Sequence, residues 1–378
     1  MPRSSCTCST RRARHEKGAS VKAEGSSHGV GAFGRGRRLS RRGFLKLGGS
    51  GLAGAALLGS GTLAGCGGGT PQGEGGSAGT RRVEHALGET RIPSDPRRVV
   101  ALDSFIALPA LLDAGVPVVG ALSVSAISGG GALPSYLTQE EADGIEIVGG
   151  AESGPNLEAI AALEPDVVVA WSVLLDDRLY EDLNRIAPTV ATEGVAYLGG
   201  DWRDEARRIS SWFGAEEGAE ARISAYEERV GELGRRVEER LGTPSVSALR
   251  ITEDQLLLYY SCFWPGSVLA EAGLRRPQNQ QRDDGCPSFQ EQHADVLSLE
   301  RLPEADADAL FYYVGGGRDG AEALKDRMTE NPLWRSLDAV HNGRAFAVGG
   351  DAWLFANARA AELVLDDLEK HLLGGDTV

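Results

Sequence analysis

Cys66 is the residue of this 378-residue chain whose surroundings most plainly prescribe a reaction. It closes the run Leu63-Ala64-Gly65-Cys66, a lipobox pattern in which small residues let a signal peptidase approach an acylated cysteine. Upstream, Ser40-Arg41-Arg42-Gly43-Phe44-Leu45-Lys46 fits the twin-arginine export signal at every defined position. Between the two, Leu47 to Ala64 is weakly apolar, and residues 47–65 hold seven glycines, too short and too glycine-rich a stretch to span a membrane stably. Residues 1–65 are therefore expected to be an export leader of the twin-arginine type, leaving Cys66 as a lipidated first residue on the outer face of the cytoplasmic membrane. Gly49-Ser50-Gly51-Leu52-Ala53-Gly54 formally fits a dinucleotide-binding fingerprint, but it lies inside the leader and follows no strand.

Cys262 and Cys286 are the cysteines that follow Cys66, and an exported chain permits them to pair. A bridge would close a loop of about 24 residues and contribute roughly 3 kcal/mol; two separate buried thiols are the alternative. His85, His293, His341 and His371 are scattered without i, i+4 partners, so a transition-metal site built from protein ligands is not expected. From residue 81 onward the chain carries no GxSxG, HExxH or P-loop motif. Asp306 and Asp308 suit a strand entry better than paired acid/base work. No enzyme and no protein-bound cofactor is expected.

Charge sharpens the division. The whole chain has a net charge of −15, but residues 1–65 hold 12 Lys or Arg and 2 Asp or Glu, which leaves 27 basic and 52 acidic side chains beyond them, a net of −25. Such a surface excludes a general nucleic-acid binder, which needs a basic face. Residues 66–80, glycine-rich and nearly devoid of apolar side chains, read as a flexible tether.

From residue 81 onward short β-rich runs alternate with helical patterns, the signature of α/β layering with largely parallel sheets. Residues 81–201 form an N-terminal lobe, with strands at Val99–Leu102, Pro117–Ala121, Val167–Trp171 and Thr189–Ala191. Helices are expected over Phe105–Ala114, from Asn156 to Leu163, and over Asp176–Ile186. Residues 202–241 form a helical zone, Trp202–Phe213 and then Glu216–Leu241. The second piece has about 26 residues and a length of roughly 39 Å, enough for a strut between lobes, with a bend expected at Gly231 or Gly234. Residues 242–378 form a C-terminal lobe, with strands at Val246–Ile251, Leu256–Tyr260, Leu310–Val314 and Ala345–Val348. Its helices are expected over Ser267–Ala272, Ala321–Met328 and Ala358–Leu373.

An internal repeat ties the lobes together: residues 156–166, NLEAIAALEPD, align without gaps to residues 298–308, SLERLPEADAD. Each copy has a capping residue, Leu-Glu, an apolar residue two later, and an Asp before a strand. With Arg98-Val99-Val100-Ala101-Leu102, Pro165-Asp166-Val167-Val168-Val169 and Asn331-Pro332-Leu333-Trp334, these pieces make the chain resemble the substrate-binding lipoproteins of ABC importers for ferric siderophores, haem and cobalamin over roughly residues 83–373. The resemblance implies two Rossmann-like α/β lobes joined by a single long helix, the helical-backbone type of periplasmic binding protein. It also implies ABC permease and ATPase partners, a monomer, and one glutamate per lobe that docks on the permease. The positions that match are Glu158 and Glu300.

Ligands of open α/β sheets bind beyond the carboxyl ends of strands, so the ligand is expected between the lobes. Residues at those ends are Ser104, Trp171, Tyr197 and Trp202 on one side and Tyr260, Trp264, Tyr313, Arg318 and Trp353 on the other. So aromatic a cleft suits a bulky organic chelate. Few cations lie near it beyond Arg203 and Arg318, which favours a ferric hydroxamate over an anionic catecholate; cobalamin or haem is the alternative cargo.

Overall fold

Val99–Ala101 and Val167–Ala170 are buried without interruption, which is the pattern of parallel strands covered on both faces. The computed structural model describes residues 79–128, 131–150, 153–194, 201–282, 294–315 and 318–374, with the backbone alone at 318–320. The leader, Cys66, Tyr197, Cys286 and the Arg318 side chain lie outside the described residues. All described residues belong to one unit, Gly73–Val378.

The chain opens with a hairpin of β1 (Thr80–His85) and β2 (Gly88–Pro93), which the alternation of polar residues hides in the sequence. The first sheet contains β3 (Val99–Ala101), β4 (Val118–Ser123), β5 (Glu146–Gly150), β6 (Gly154–Pro155), β7 (Val167–Trp171) and β8 (Thr189–Thr192), in the order β6-β5-β4-β3-β7-β8. All its pairings are parallel except β5 with β6. Alternate residues of β3 and β7 serve two cores: Val99, Ala101, Val167 and Val169 face a large one, Val100, Val168 and Ala170 a smaller one.

The second sheet contains β9 (Val246–Ile251), β10 (Leu256–Tyr259), β11 (Ala294–Leu297), β12 (Ala309–Val314) and β13 (Ala345–Ala347), in the order β11-β10-β9-β12-β13. Here the expectation of a largely parallel sheet is corrected. β9, β11, β12 and β13 share one direction, but β10 runs against them and so pairs antiparallel with both β9 and β11. The reason is the turn at Thr252–Gln255, closed by Thr252 N–H to Gln255 O at 2.9 Å, which is too short for a parallel crossover.

Between the sheets, helix Trp202–Phe213 ends at Gly214 in the left-handed region (φ 67°), and the linking helix Glu216–Leu241 follows for 26 residues. Its buried face, Ala219, Ile223, Tyr226, Val230, Leu233 and Val237, alternates steps of four and three. The helix runs unbroken through Gly231 and Gly234. Gly234 lies against the backbone of Ala272, at a distance that leaves room for a methyl group in ordinary van der Waals contact.

The closing helix Ala358–Leu372 starts at Asn357, whose side chain accepts from Ala360 N–H at 2.9 Å. It runs in the same direction as the linking helix. Arg222, Arg229 and Arg236, seven residues apart, pair in turn with Glu362, Asp366 and Glu369. Their side chains are about a third exposed, Asp366 more than half, and each pair adds little stability alone, so the series sets register more than strength. One continuous large core runs from Val83 through Ile223 and Leu233 to Phe311 and Leu373.

The internal repeat is visible in hydrogen bonds. Asp166, just before β7, accepts from the backbone N–H of Arg97 (2.6 Å) and Arg98 (3.0 Å) at the entry to β3. Asp308, just before β12, accepts from Ser245 N–H (2.7 Å) and Ser245 Oγ–H (2.8 Å) at the entry to β9. In each lobe the aspartate ties together the starts of two neighbouring parallel strands. The helices that precede them differ: Leu157–Ala162 is α-helical, whereas Leu299–Ala305 is a 3-10 helix with Pro303 inside it.

Candidate functional site

The two lobes meet where the chain leaves β3 and β4 on one side and β13 on the other. Asp103, 2% exposed, follows β3 and accepts from Phe105 N–H (3.0 Å), Ile106 N–H (3.1 Å) and Thr192 Oγ–H (3.0 Å). Burial pushes its carboxyl above the ordinary range, against the pull of those bonds. Their effect is to aim the next residues at the opposite lobe. Phe105 meets Phe355 edge to face at 4.6 Å, and its carbonyl accepts from Asn357 Nδ2–H at 2.8 Å. Ser135 N–H donates to Asp351 at 2.6 Å. Arg359 at the start of the closing helix donates to Asp113 at 2.7 Å and to both oxygens of Glu141.

Trp171 ends β7, half-buried, with its ring 6.1 Å from Phe105. Its Nε1–H donates to Glu193 O at 3.4 Å. Beside it Val173 and Leu174 are 46% and 41% exposed, an apolar lip at the carboxyl end of the strand. Ser104 is placed differently from Trp171. It is buried, and its hydroxyl donates to Leu122 O at 2.9 Å.

The remaining strand-end aromatics sit within the large core. Trp202, Tyr260, Trp264, Tyr313 and Trp353 are each no more than 6% exposed. Trp353 stacks on Phe311 at 4.8 Å and donates to Asp367 at 2.7 Å, while Tyr313 lies 6.4 Å from both Trp353 and Tyr259. Trp202 packs edge-on to Tyr226. Tyr260 is capped by the Arg282 guanidinium, 3.8 Å from its ring centroid. A strand end is both the rim of a cleft and the boundary of a core, and residue type alone does not separate the two.

Arg203, expected as a cleft cation, is held by Asp201 (3.1 Å), Glu227 (3.2 Å) and Glu271 (2.7 Å), so its charge joins the end of the first lobe to the linking helix and to the helix Gly266–Glu271 of the second lobe. Arg250, missed in the sequence, is the penultimate residue of β9. Its Nε–H donates to Gly315 O at 2.9 Å and its Nη1–H to Tyr259 Oη at 3.3 Å. A lone arginine inside the apolar run Val246–Ile251 was the available signal.

Glu158 and Glu300 are both exposed, each in the first turn of its short helix. Asn156 caps the first helix by accepting from Glu158 N–H (3.0 Å) and Ala159 N–H (3.1 Å), and the Ser298 hydroxyl holds the Glu300 carboxyl below its ordinary range. Cys262 is disulfide-bonded, and its expected partner Cys286 lies outside the described residues. Among the described residues no group of three His, Cys, Asp or Glu is arranged to hold a metal ion. A polar groove of about 350 Å³ opens at the amino ends of β9 and β12 beside Asp306, Asp308 and Arg344, but Asp306 and Asp308 are already engaged by backbone N–H groups.

Comparison with known proteins places this geometry. The family model described as "Periplasmic binding protein" matches residues 100–352. The probable siderophore-binding lipoprotein YfiY of Bacillus subtilis is 32% identical over 305 residues, which is 79% of this chain and 89% of the relative. The iron(3+)-hydroxamate-binding protein FhuD of the same organism is 24% identical, covering 85% of this chain and 97% of its own. Among solved structures, Staphylococcus aureus SirA complexed with staphyloferrin B is 25% identical with a TM-score of 0.63, covering 78% of this chain and 99% of the other.

Proposed function

The chain belongs to the periplasmic binding protein family, and from that premise we propose that it is the extracytoplasmic, lipid-anchored receptor of an ABC importer for a ferric siderophore. The observation that carries this reading is the similarity, over 89% of the relative's length, to a probable siderophore-binding lipoprotein. The order of leader, lipobox and glycine tether supports export by the twin-arginine route and anchoring through Cys66.

The chelate is held where the lobes meet at the carboxyl ends of their strands. Trp171 and Phe105 form the accessible aromatic wall of the first lobe. On the second lobe Tyr313, 1% exposed, is buried behind the seam, and Arg318 is assigned to that side from its place after β12 in the sequence. Ser104, Trp202, Tyr260, Trp264 and Trp353 are also buried behind the seam, and Tyr197, which follows β8 in the sequence, is assigned to the site from that position alone. Among the described residues, Arg203 is spent on three carboxylates and Arg250 on a carbonyl and a phenol, which supports a chelate of low negative charge, a ferric hydroxamate, over a tris-catecholate. Glu158 and Glu300 then present one anionic knob per lobe to a cationic permease surface, which gives orientation and encounter rate more than affinity.

Intrinsic tryptophan quenching of the purified mature chain against ferric hydroxamates, ferric catecholates, ferric citrate, haem and cobalamin tests the reading. Saturable quenching by hydroxamates at the lowest concentrations is expected. A response to haem or cobalamin and to none of the iron chelates overturns it.

A further inference from the structure

Resting on that reading, we propose that Glu205 is a positioning residue for the cleft: it pins the chain leaving β8 and thereby sets the Trp171 indole in the place where it meets ligand. Glu205 lies in the first turn of helix Trp202–Phe213 yet is only 1% exposed. A carboxylate so placed must be repaid by hydrogen bonds, and its Oε1 accepts two, from Glu193 N–H and Gly194 N–H, both at 2.9 Å. Both donors belong to the two residues that directly follow β8.

Those same two residues hold Trp171. The carbonyl of Glu193 takes the indole N–H, and the Gly194 backbone lies so close to the indole that a Cβ there would overlap Nε1 and the adjoining ring carbons. Gly194 also has φ 69°, a conformation that favours glycine. An outer tether, the Arg208–Glu193 ion pair, fixes the loop from the solvent side. The indole in turn meets Phe105, and Phe105 meets Phe355 of the other lobe. A buried charge in one helix therefore governs an aromatic contact that crosses the seam.

The test uses the mature chain with Glu205→Ala, Glu205→Gln and Gly194→Ala, each also in a Trp171→Phe background, so that subtraction isolates one of the six tryptophans. Glu205→Ala is expected to shift Trp171 emission to the red and raise its acrylamide quenching. Affinity for the ferric hydroxamate that binds the parent should fall roughly tenfold, the scale of one lost charge-assisted hydrogen bond. Glu205→Gln retains an oxygen acceptor and should stay within about threefold of the parent on the same scale. Gly194→Ala displaces the indole while keeping the Glu205 carboxylate and should reproduce the spectral shift. Parental Trp171 emission in a folded Glu205→Ala protein overturns the proposal; if that variant does not fold, parental Trp171 emission in Gly194→Ala does so. Weakened binding in Trp171→Phe with unchanged binding in Glu205→Ala also overturns it, leaving the cleft reading intact. Unchanged affinity in Trp171→Phe itself removes Trp171 from the ligand site and overturns both.

Discussion

Arg359 and Glu141 meet in two parallel hydrogen bonds, at 2.8 and 2.9 Å, across 218 residues of sequence. The fork geometry joins the start of the closing helix to the helix Gln139–Asp143 of the first lobe, where Glu141 also completes a capping box with Thr138.

That pair makes stability depend on acid. The hydrogen bonds from Arg359 hold the Glu141 carboxyl down at about 2, against an ordinary value of 4.5. A depressed carboxyl stabilises the fold fully above its unfolded value and loses that contribution as pH falls from 4.5 towards 2. Glu141→Gln is expected to cost roughly 2 kcal/mol at neutral pH and to flatten the acid limb of the melting-temperature profile. A profile as steep as the parent's in that window would remove Glu141 from the account.

Arg359→Leu should be costlier. It strips one cation from Asp113, whose side chain is 6% exposed and would keep only Arg222 at 3.3 Å. A loss of roughly 3 kcal/mol is expected in urea unfolding, because an underpaired buried carboxylate remains. A loss under about 1 kcal/mol would mean that Arg222 alone suffices.

Asp166 and Asp308 perform the same task in different lobes. Each substitution to Ala should cost about 2 kcal/mol, and the double variant should show the sum to within about 0.5 kcal/mol, since the sites share no partner. Differential scanning calorimetry of the four proteins checks this. Strong non-additivity would show that the lobes communicate through their strand entries.

Trp353→Phe separates core from cleft. It deletes the bond to Asp367 and part of the stack on Phe311 while leaving the strand ends in place. Stability should fall by about 2 kcal/mol with siderophore affinity unchanged. A drop in affinity at preserved stability would return Trp353 to the ligand wall.

Charge reversal of both Glu158 and Glu300 to Lys is expected to abolish iron-chelate uptake by cells while leaving affinity for the purified protein as it was. Loss of affinity would sink the docking assignment.

Elements were legible where a side chain with one job marks the boundary. Asn156, Asp176 and Asn357 each cap the helix they precede, Gly214 ends another, and the linking helix matches its expected bounds residue for residue. β1, β5 and β11 were not legible, because edge or short strands such as Glu146–Gly150 carry glycine and charge in place of an apolar run. The reversal of β10 in the second sheet turned on a four-residue turn, which strand composition does not report. Burial was the least legible quantity. Trp171 and Trp353 each stand at or beyond a strand's end, and only the packing of Phe311 and Asp367 around the second distinguishes them.

The large core draws on Val83 near the hairpin and on Leu365, Leu368 and Leu373 near the far end of the chain. A ribosome must therefore release almost the whole polypeptide before this large core is complete, although the smaller core of Val100, Val168 and Ala170 closes within the first lobe. During synthesis the first lobe is an unfinished surface that invites chaperones, and truncation before Ala358 should yield aggregate in place of a half-protein. The two lobes look like modules to a sequence reader, but in biogenesis they are one indivisible client.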